Sequence, residues 1–252
     1  MISPGRVCFT ILGIDVMWYG VLIGLGMFAG VFVIYHRAPA YGIEKEHVLD
    51  VALFAVPAAV IGARAYYVAF EWEHYAGDIA KILNIRNGGL AVHGGILFGL
   101  ATAALICRHY GIKCADAMDL TAPGLALGQS IGRWGNFFNE EAHGCATNLP
   151  INVLIDGTKY HPTFLYESLW CCVLCIFLIL FSRQKLANGS GFSGQIFLLY
   201  CMLYSLERFF VEALRTDSLM IGPFRQARVI SACIMLAALV VYIHKRKKVG
   251  EK

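Results

Sequence analysis

Charge is what this sequence has least of. Only 15% of its 252 residues are Asp, Glu, Lys or Arg, against 58% hydrophobic, and the mean hydropathy is +0.61. Globular proteins carry roughly 25% charged residues, and a soluble domain of this length could not cover its surface with so few. The shortage excludes an ordinary soluble enzyme and describes an integral membrane protein. Other features are missing as well. The nine cysteines are odd in number and lie mostly inside apolar runs. None forms a paired CxxC with histidines, so neither a zinc site nor a disulfide framework is indicated. Cys171 and Cys175 share a helix face as a small apolar pair. There is no phosphate-binding P-loop and no carboxylate cluster with metal spacing, so no metal, nucleotide or other cofactor is expected. Nor is nucleic acid expected as a partner. Arg6 stands alone before the first apolar run, and no small-residue cleavage site follows, so that run is read as a retained span. Without internal repeats or low-complexity segments, the chain is read as one integral membrane domain over residues 1–252.

What remains is apolar sequence in lengths that suit a bilayer. A membrane helix needs about 20 mostly apolar residues. Seven segments qualify: 16–35, 48–70, 90–107, 115–132, 163–182, 194–213 and 226–244. The expected fold class is therefore all-α, a polytopic bundle of about seven membrane helices. Several spans carry polar residues at membrane depth, among them Asp50, Arg64, His93, Asp119, Arg133, Glu207, Arg208 and Glu212. Each costs about 2.5–3.5 kcal/mol on insertion scales, so such residues face a bundle interior or a wet cavity.

Basic residues set the orientation. Seven spans put the termini on opposite sides. Eleven of the 21 basic residues group with the C-terminal side; they are lysine-rich and include the KRKK tail and Lys252. The other ten are eight arginines and two lysines, several of them beside or inside spans. The C-terminus is accordingly placed in the cytoplasm and the N-terminus outside. Arginine kept on the outer side suggests a task there, because its planar fork binds phosphate bidentately and stays charged in a low dielectric. The outer-leaflet anion at hand is a phospholipid phosphate. For Arg64 and Arg86 taken alone, pairing with Glu or Asp for packing is the preferred account.

Gly128–Gly144, GQSIGRWGNFFNEEAHG, is the stretch on which the functional reading rests. It follows an apolar run without a hydrophilic linker and places Arg133, Asn136, Asn139, Glu140, Glu141 and His143 close together among four glycines. Glycines allow close backbone approach to a neighbour or ligand. In the third span His93 precedes Gly94 and Gly95 near the outer end. A lone histidine on an apolar helix is commonly a satisfied core residue, but imidazole as a class can accept a proton near neutral pH. In the sixth span Tyr204, Arg208, Glu212 and Arg215 fall within 80° of one another at 100° per residue, forming one stripe. A self-paired ladder through Glu212 would account for the stripe structurally. Two arginines against one in-stripe carboxylate leave a positive charge to spare. The fifth span opens with HPTFLYES (161–168), where Pro162 suits a helix start. The first has Trp18 and Tyr19 at its outer end, where interface anchoring is an equal explanation.

HGG at 93–95, GRWGNFFNEEAHG at 132–144, HPTFLYES at 161–168 and RFFVEALRTDS at 208–218 together resemble the prolipoprotein diacylglyceryl transferase family. The likeness runs from Tyr19 through the seventh span, and the GRxGNFxN element is highly specific. The resemblance implies transfer of diacylglyceryl from phosphatidylglycerol to the lipobox cysteine of a prolipoprotein signal peptide, releasing glycerol 1-phosphate. It implies a multi-pass protein of the bacterial cytoplasmic membrane with its active site toward the outer face. Arg133 matches the family's headgroup-binding arginine. Asn136, Glu141 and Gly144 match the positions that follow it, and Asn139 is read as a further orienting amide. His93 matches the HGG histidine, while Tyr19, Tyr204, Arg208, Glu212 and Arg215 match the tyrosine of span one and the RFxxExxR helix. Two departures stand out. Phe164 replaces a common glutamine, and Glu140 with Ala142-His143 replaces the commoner Gly-Glu-Leu-Trp.

In that chemistry a thiol attacks the glyceryl carbon while a phosphate diester becomes a monoester and develops a second negative charge. Fixed positive charge at the departing oxygen is the largest available help, and Arg133 and Arg208 are assigned to it. His93 is the candidate general base, since a free thiol is only a few per cent thiolate at neutral pH. The alternative is that His93 only positions substrate and local positive charge activates the thiol. From a different class, a transporter or flippase for an anionic lipid would use the same arginines as a passage, but transporters often show repeats.

Overall fold

Each of the seven apolar runs folds as a helix. The computed structural model describes residues 1–85 and 88–250; Arg86 and Lys252 lie outside the described residues. In chain order the helices are α1 (Trp18–Arg37), α2 (Lys45–Phe70), the short α3 (Trp72–Tyr75) and α4 (Ile79–Leu83), α5 (Val92–His109), α6 (Cys114–Asn139), α7 (Thr163–Ala187), α8 (Gln195–Val211) and α9 (Gln226–Gly250). Five of them, α1, α2, α5, α7 and α9, are long and apolar enough to cross a membrane, the pattern of a polytopic membrane protein. Their outward side chains, such as Phe28, Phe54, Leu100, Val173 and Val240, are exposed. Apolar surface on that scale calls for lipid rather than water.

The chain forms two compact units, Met1–Ile34 with Met118–Lys252, and Tyr35–Ala117. In the first, α6, α7 and α8 share a core of Ala122, Ala126, Leu174, Cys175, Leu178 and Ile196, closed by Tyr200. The segment of α1 in this unit lies against α6 at two glycine pairs. A Cβ on Gly26 would come within 2.8 Å of the Gly128 carbonyl oxygen, and one on Gly30 within 2.8 Å of the Gly124 oxygen. Only glycine lets the two backbones approach so closely.

Asp119, fully buried, anchors the end of this unit opposite the Gly128–Gly144 stretch. Its carboxylate accepts from the backbone N–H groups of Gly194 (3.0 Å) and Phe197 (2.9 Å) and pairs with Lys185 at 2.9 Å. The Asp119 side chain on α6 thus caps the N-terminus of α8, supplying the acceptor that an Ncap side chain normally provides. Gly194 occupies the cap position with no side chain to do so.

Three short antiparallel hairpins accompany the helices: β1 (Val7–Ile11) with β2 (Ile14–Met17), β3 (Val153–Ile155) with β4 (Thr158–Tyr160), and β5 (Met220–Ile221) with β6 (Phe224–Arg225). They add minor strand content to a mostly helical fold. The β3–β4 turn is Asp156-Gly157, both at positive φ (48° and 77°), the combination that two-residue hairpin turns require.

In the second unit, α2 and α5 touch through Gly62, Gly94 and Gly95. A Cβ on Gly94 would lie 2.3 Å from the Gly62 oxygen, so the glycines after His93 serve helix contact. Arg64, buried on α2, donates to five backbone oxygens: Lys81, Ile82, Asn84, Gly88 and Gly89, at 2.7–3.0 Å. Its guanidinium also lies over the Tyr75 ring. The expectation of a packing role holds, but the partners are carbonyls at and beyond the end of α4 rather than carboxylates. A cation there satisfies oxygens that the helix leaves open.

Candidate active site

The polar signature begins inside a helix. The fourth apolar segment was expected to end near residue 132, whereas α6 continues to Asn139 and carries Arg133 and Asn136 on its last two turns. The helix then closes in a Schellman motif. The Glu140 N–H bonds to Phe137 O (3.2 Å), the Glu141 N–H bonds to Asn136 O (3.0 Å), and Glu140 sits at φ 56°. That is the left-handed position which glycine favours, the physical reason for the commoner Gly that the resemblance implies here. The turn brings Glu141 back so that its Oε1 accepts from the side-chain amides of Asn136 (3.0 Å) and Asn139 (3.3 Å).

Gly144 joins two further segments. Its N–H donates to His161 O (2.9 Å), it bridges Arg215, and the next N–H, of Cys145, donates to Leu214 O (2.8 Å). A Cβ there would lie 2.6 Å from the His161 Cβ, so the position admits only glycine without displacement. Thr163, fully buried at the start of α7, donates from its hydroxyl to the Ala142 carbonyl.

Glu167, one turn into α7, is 1% exposed and takes Arg133 and Arg208 together. Its Oε1 accepts from Arg208 Nη1, and its Oε2 lies 3.2 Å from Arg133 Nη1, a contact of charge without hydrogen-bond alignment. Arg208 Nη2 also donates to Glu212 Oε2 at 2.8 Å, and Arg133 Nη2 donates to Tyr204 Oη at 3.2 Å. Ser168 fixes the next position, exchanging hydrogen bonds with Ser130 and accepting from Trp134 Nε1. Tyr19 presses its ring onto Gly135, where an added Cβ would lie 2.6 Å from Cδ2.

Two sequence expectations change here. Arg215 is not on the α8 stripe: the helix ends at Val211, and pairing with Gly144 draws Arg215 into extended backbone. The expected spare positive charge is also absent. Arg133 and Arg208 share Glu167, Arg208 reaches Glu212, and Arg215 makes two bonds to Asp217 at 3.0 and 2.9 Å. Two of those counter-charges, Glu167 on α7 and Asp217 beyond the end of α8, lie outside the periodicity that defined the stripe. The Arg215 guanidinium holds the Asp217 carboxyl below the usual carboxylate range. Glu207 is buried, and its carboxylate makes no hydrogen bond among the described residues.

Tyr19, Arg133, Asn136, Asn139, Glu141, Gly144, Tyr204, Arg208, Glu212 and Arg215 thus all belong to the first unit. His93 belongs to the second, exposed in the first turn of α5 with Tyr66 6.3 Å away in tilted ring contact. Phe164 is buried against Phe137 and Trp134, with ring centroids 5.0 and 5.3 Å away, so apolar packing of α6 on α7 accounts for that departure. Glu167 lies within HPTFLYES and had no expected role. Its signal was a carboxylate in the second turn of an otherwise apolar helix.

The chain is similar to known proteins along nearly its whole length. Residues 6–244 match the family profile described as prolipoprotein diacylglyceryl transferase. The phosphatidylglycerol–prolipoprotein diacylglyceryl transferase of Clostridioides difficile (strain 630) is 45% identical over 243 residues, 96% of each chain. Those of Finegoldia magna and Clostridium novyi (strain NT) are 47% and 42% identical, covering 97% and 96% of each chain. With the family model and these relatives matching it along nearly its whole length, the chain belongs to the prolipoprotein diacylglyceryl transferase family.

Proposed function

We propose that the protein transfers the diacylglyceryl group of phosphatidylglycerol to the lipobox cysteine of prolipoprotein signal peptides, the first step of bacterial lipoprotein maturation. The sulfur attacks the glyceryl carbon bonded to phosphate, and a carbon–sulfur bond forms as the carbon–oxygen bond breaks. Glycerol 1-phosphate leaves with the bonding electron pair, and the thiol proton passes to a base. The relatives, all phosphatidylglycerol–prolipoprotein diacylglyceryl transferases, favour transfer over lipid transport.

The observation that carries the reading is Glu167 lying between Arg133 and Arg208. A guanidinium has five N–H donors. Arg133 spends one on Tyr204 and faces Glu167 with another nitrogen, and Arg208 is likewise only partly used. The pair is therefore immobilised with donors left for a phosphate whose charge grows during the reaction. Asn136, Asn139, Glu141 and Gly144 shape the backbone beside that phosphate, with Tyr19, Tyr204, Glu212 and Arg215 around it. His93 is the proposed proton acceptor.

In this reading α6 and α8 cross the membrane too, giving seven spans in one integral domain. The N-terminus is outside, the C-terminus is cytoplasmic, and the site faces the outer leaflet of the bacterial cytoplasmic membrane. Both substrates arrive within that membrane, the acceptor tethered by its signal helix. Purified protein given phosphatidylglycerol and a lipobox peptide should form a diacylglyceryl thioether. Movement of lipid across vesicles without product would instead support transport.

A further inference from the structure

Next to the arginines lies a cavity of about 220 Å³ that the sequence did not announce. Arg208 and Glu212 line it from the end of α8, Arg215, Asp217 and Ser218 from the segment that follows, and Gln226 from the first turn of α9. Its charges are already matched, Arg208 by Glu212 and Arg215 by Asp217. Two neutral groups are not matched. Ser218 Oγ is buried without a hydrogen-bond partner among the described residues, and the side-chain amide of the half-buried Gln226 makes no hydrogen bond to them. The Gln226 backbone N–H donates to Leu219 O at 2.8 Å, and the Arg225 guanidinium donates to Glu212 O, so this wall is braced. A buried hydroxyl left unpaired carries a penalty that a ligand can remove. A small cavity with a few convergent polar groups is the usual form of a ligand subsite.

We propose that this cavity reads the headgroup of the donor lipid. The phosphate held by the Arg133–Arg208 pair sends its terminal glycerol into the cavity past Arg208, and the vicinal diol bonds to Ser218 Oγ and the Gln226 amide. Each hydroxyl of a diol both donates and accepts, as do Ser218 and Gln226, so the pairing is complete in both directions. An ammonium headgroup offers donors only, so it leaves the Ser218 O–H and the Gln226 N–H groups without the acceptors that a diol supplies. The cavity thereby selects phosphoglycerol over phosphoethanolamine by chemistry rather than by size. The inference rests on the diacylglyceryl-transfer reading and names the residues that set its donor specificity.

The test uses the full-length protein in mixed micelles with three donors: phosphatidylglycerol, phosphatidylethanolamine, and phosphatidylpropanol, which has the chain length without the diol. A site built to bond hydroxyls rejects analogues that lack them, so wild type should prefer phosphatidylglycerol over phosphatidylpropanol by ~10-fold or more in kcat/KM. Ser218→Ala and Gln226→Leu should each shrink that preference ~3–10-fold through KM, a change in ratio that a merely structural defect would not produce. The two variants are independent, so misfolding of one leaves the other to decide. Transfer with an unchanged preference in the variants overturns the proposal. Displacement of a fluorescent phosphatidylglycerol separates the two claims. If no donor is turned over but the binding preference falls in the variants, the transfer reading fails and the headgroup site stands. If neither transfer nor the binding preference responds, both fail.

Discussion

The Glu167 carboxylate sits 3.2 Å from Nη1 of Arg133, and it is 1% exposed. Arg208 holds the other oxygen of the same carboxylate. Without that charge two guanidiniums would face each other in a poorly solvated interior. Glu167→Gln keeps a carbonyl acceptor but removes the charge. Removing one partner of a buried pair costs about 3–5 kcal/mol, so thermal stability should drop clearly. Transfer should fall at least ~10²-fold, in line with loss of one electrostatic group. Near-normal turnover in a folded Glu167→Gln protein would reduce Glu167 to packing.

Glu140 offers the opposite sign of effect. It holds φ 56° at the Schellman position that ends α6. A side chain there costs on the order of 1 kcal/mol relative to glycine. Glu140→Gly should therefore raise the midpoint of thermal unfolding while the Asn136–Glu141 hydrogen bond is retained. A lower midpoint would show that the Glu140 side chain makes a contribution outweighing its strain.

Asp217 gives a pH signature. Its carboxyl is held below the ordinary carboxylate range, chiefly by the hydrogen bonds from Arg215 and against the effect of burial. A depressed folded value means that the stabilisation is fully present above the unfolded pKa, about 3.9, and is lost as pH falls through the lower folded value. The stability difference between wild type and Asp217→Asn should be constant from pH 6 to 9 and close below about pH 4. A gap that widened in acid would contradict this assignment.

For His93, the base assignment predicts a defect that depends on pH. His93→Gln should severely reduce transfer near neutrality, and the loss should be partly relieved at higher pH, where a thiol of ordinary pKa, about 8.5, ionises unaided. Equal loss at every pH would leave His93 a positioning group.

Much of this was legible because lipid-facing sequence is so uniformly apolar that every polar residue stands out. The seven helices follow from run length, and Arg133, Asn136 and Gly144 from the density of arginine, amide and glycine in one stretch. Boundaries were less legible. A helix can continue past the hydrocarbon region, so the span ended at residue 132 in the sequence while α6 carries its polar turn on to Asn139. Arg215 was assigned to a helical stripe because periodicity knows nothing of Gly144, which pulls it into a β-bridge. Glu167 and Asp119 were underread for the same reason: their partners, two arginines and the open end of α8, come from distant sequence. The Asp156-Gly157 turn was readable as a hairpin signal but was lost between long helical runs.

The central claim is that the arginine pair serves a phosphate leaving group at a glyceryl carbon. The most direct measurement is product analysis after incubating the protein with phosphatidylglycerol and a synthetic lipobox peptide. The account predicts a peptide heavier by one diacylglyceryl group, stable to hydroxylamine as a thioether is, with one equivalent of glycerol 1-phosphate released. It predicts that Arg133→Ala and Arg208→Ala suppress both products together. A hydroxylamine-labile acyl adduct or a phosphorylated peptide would contradict it, because either would place the attack at a different atom.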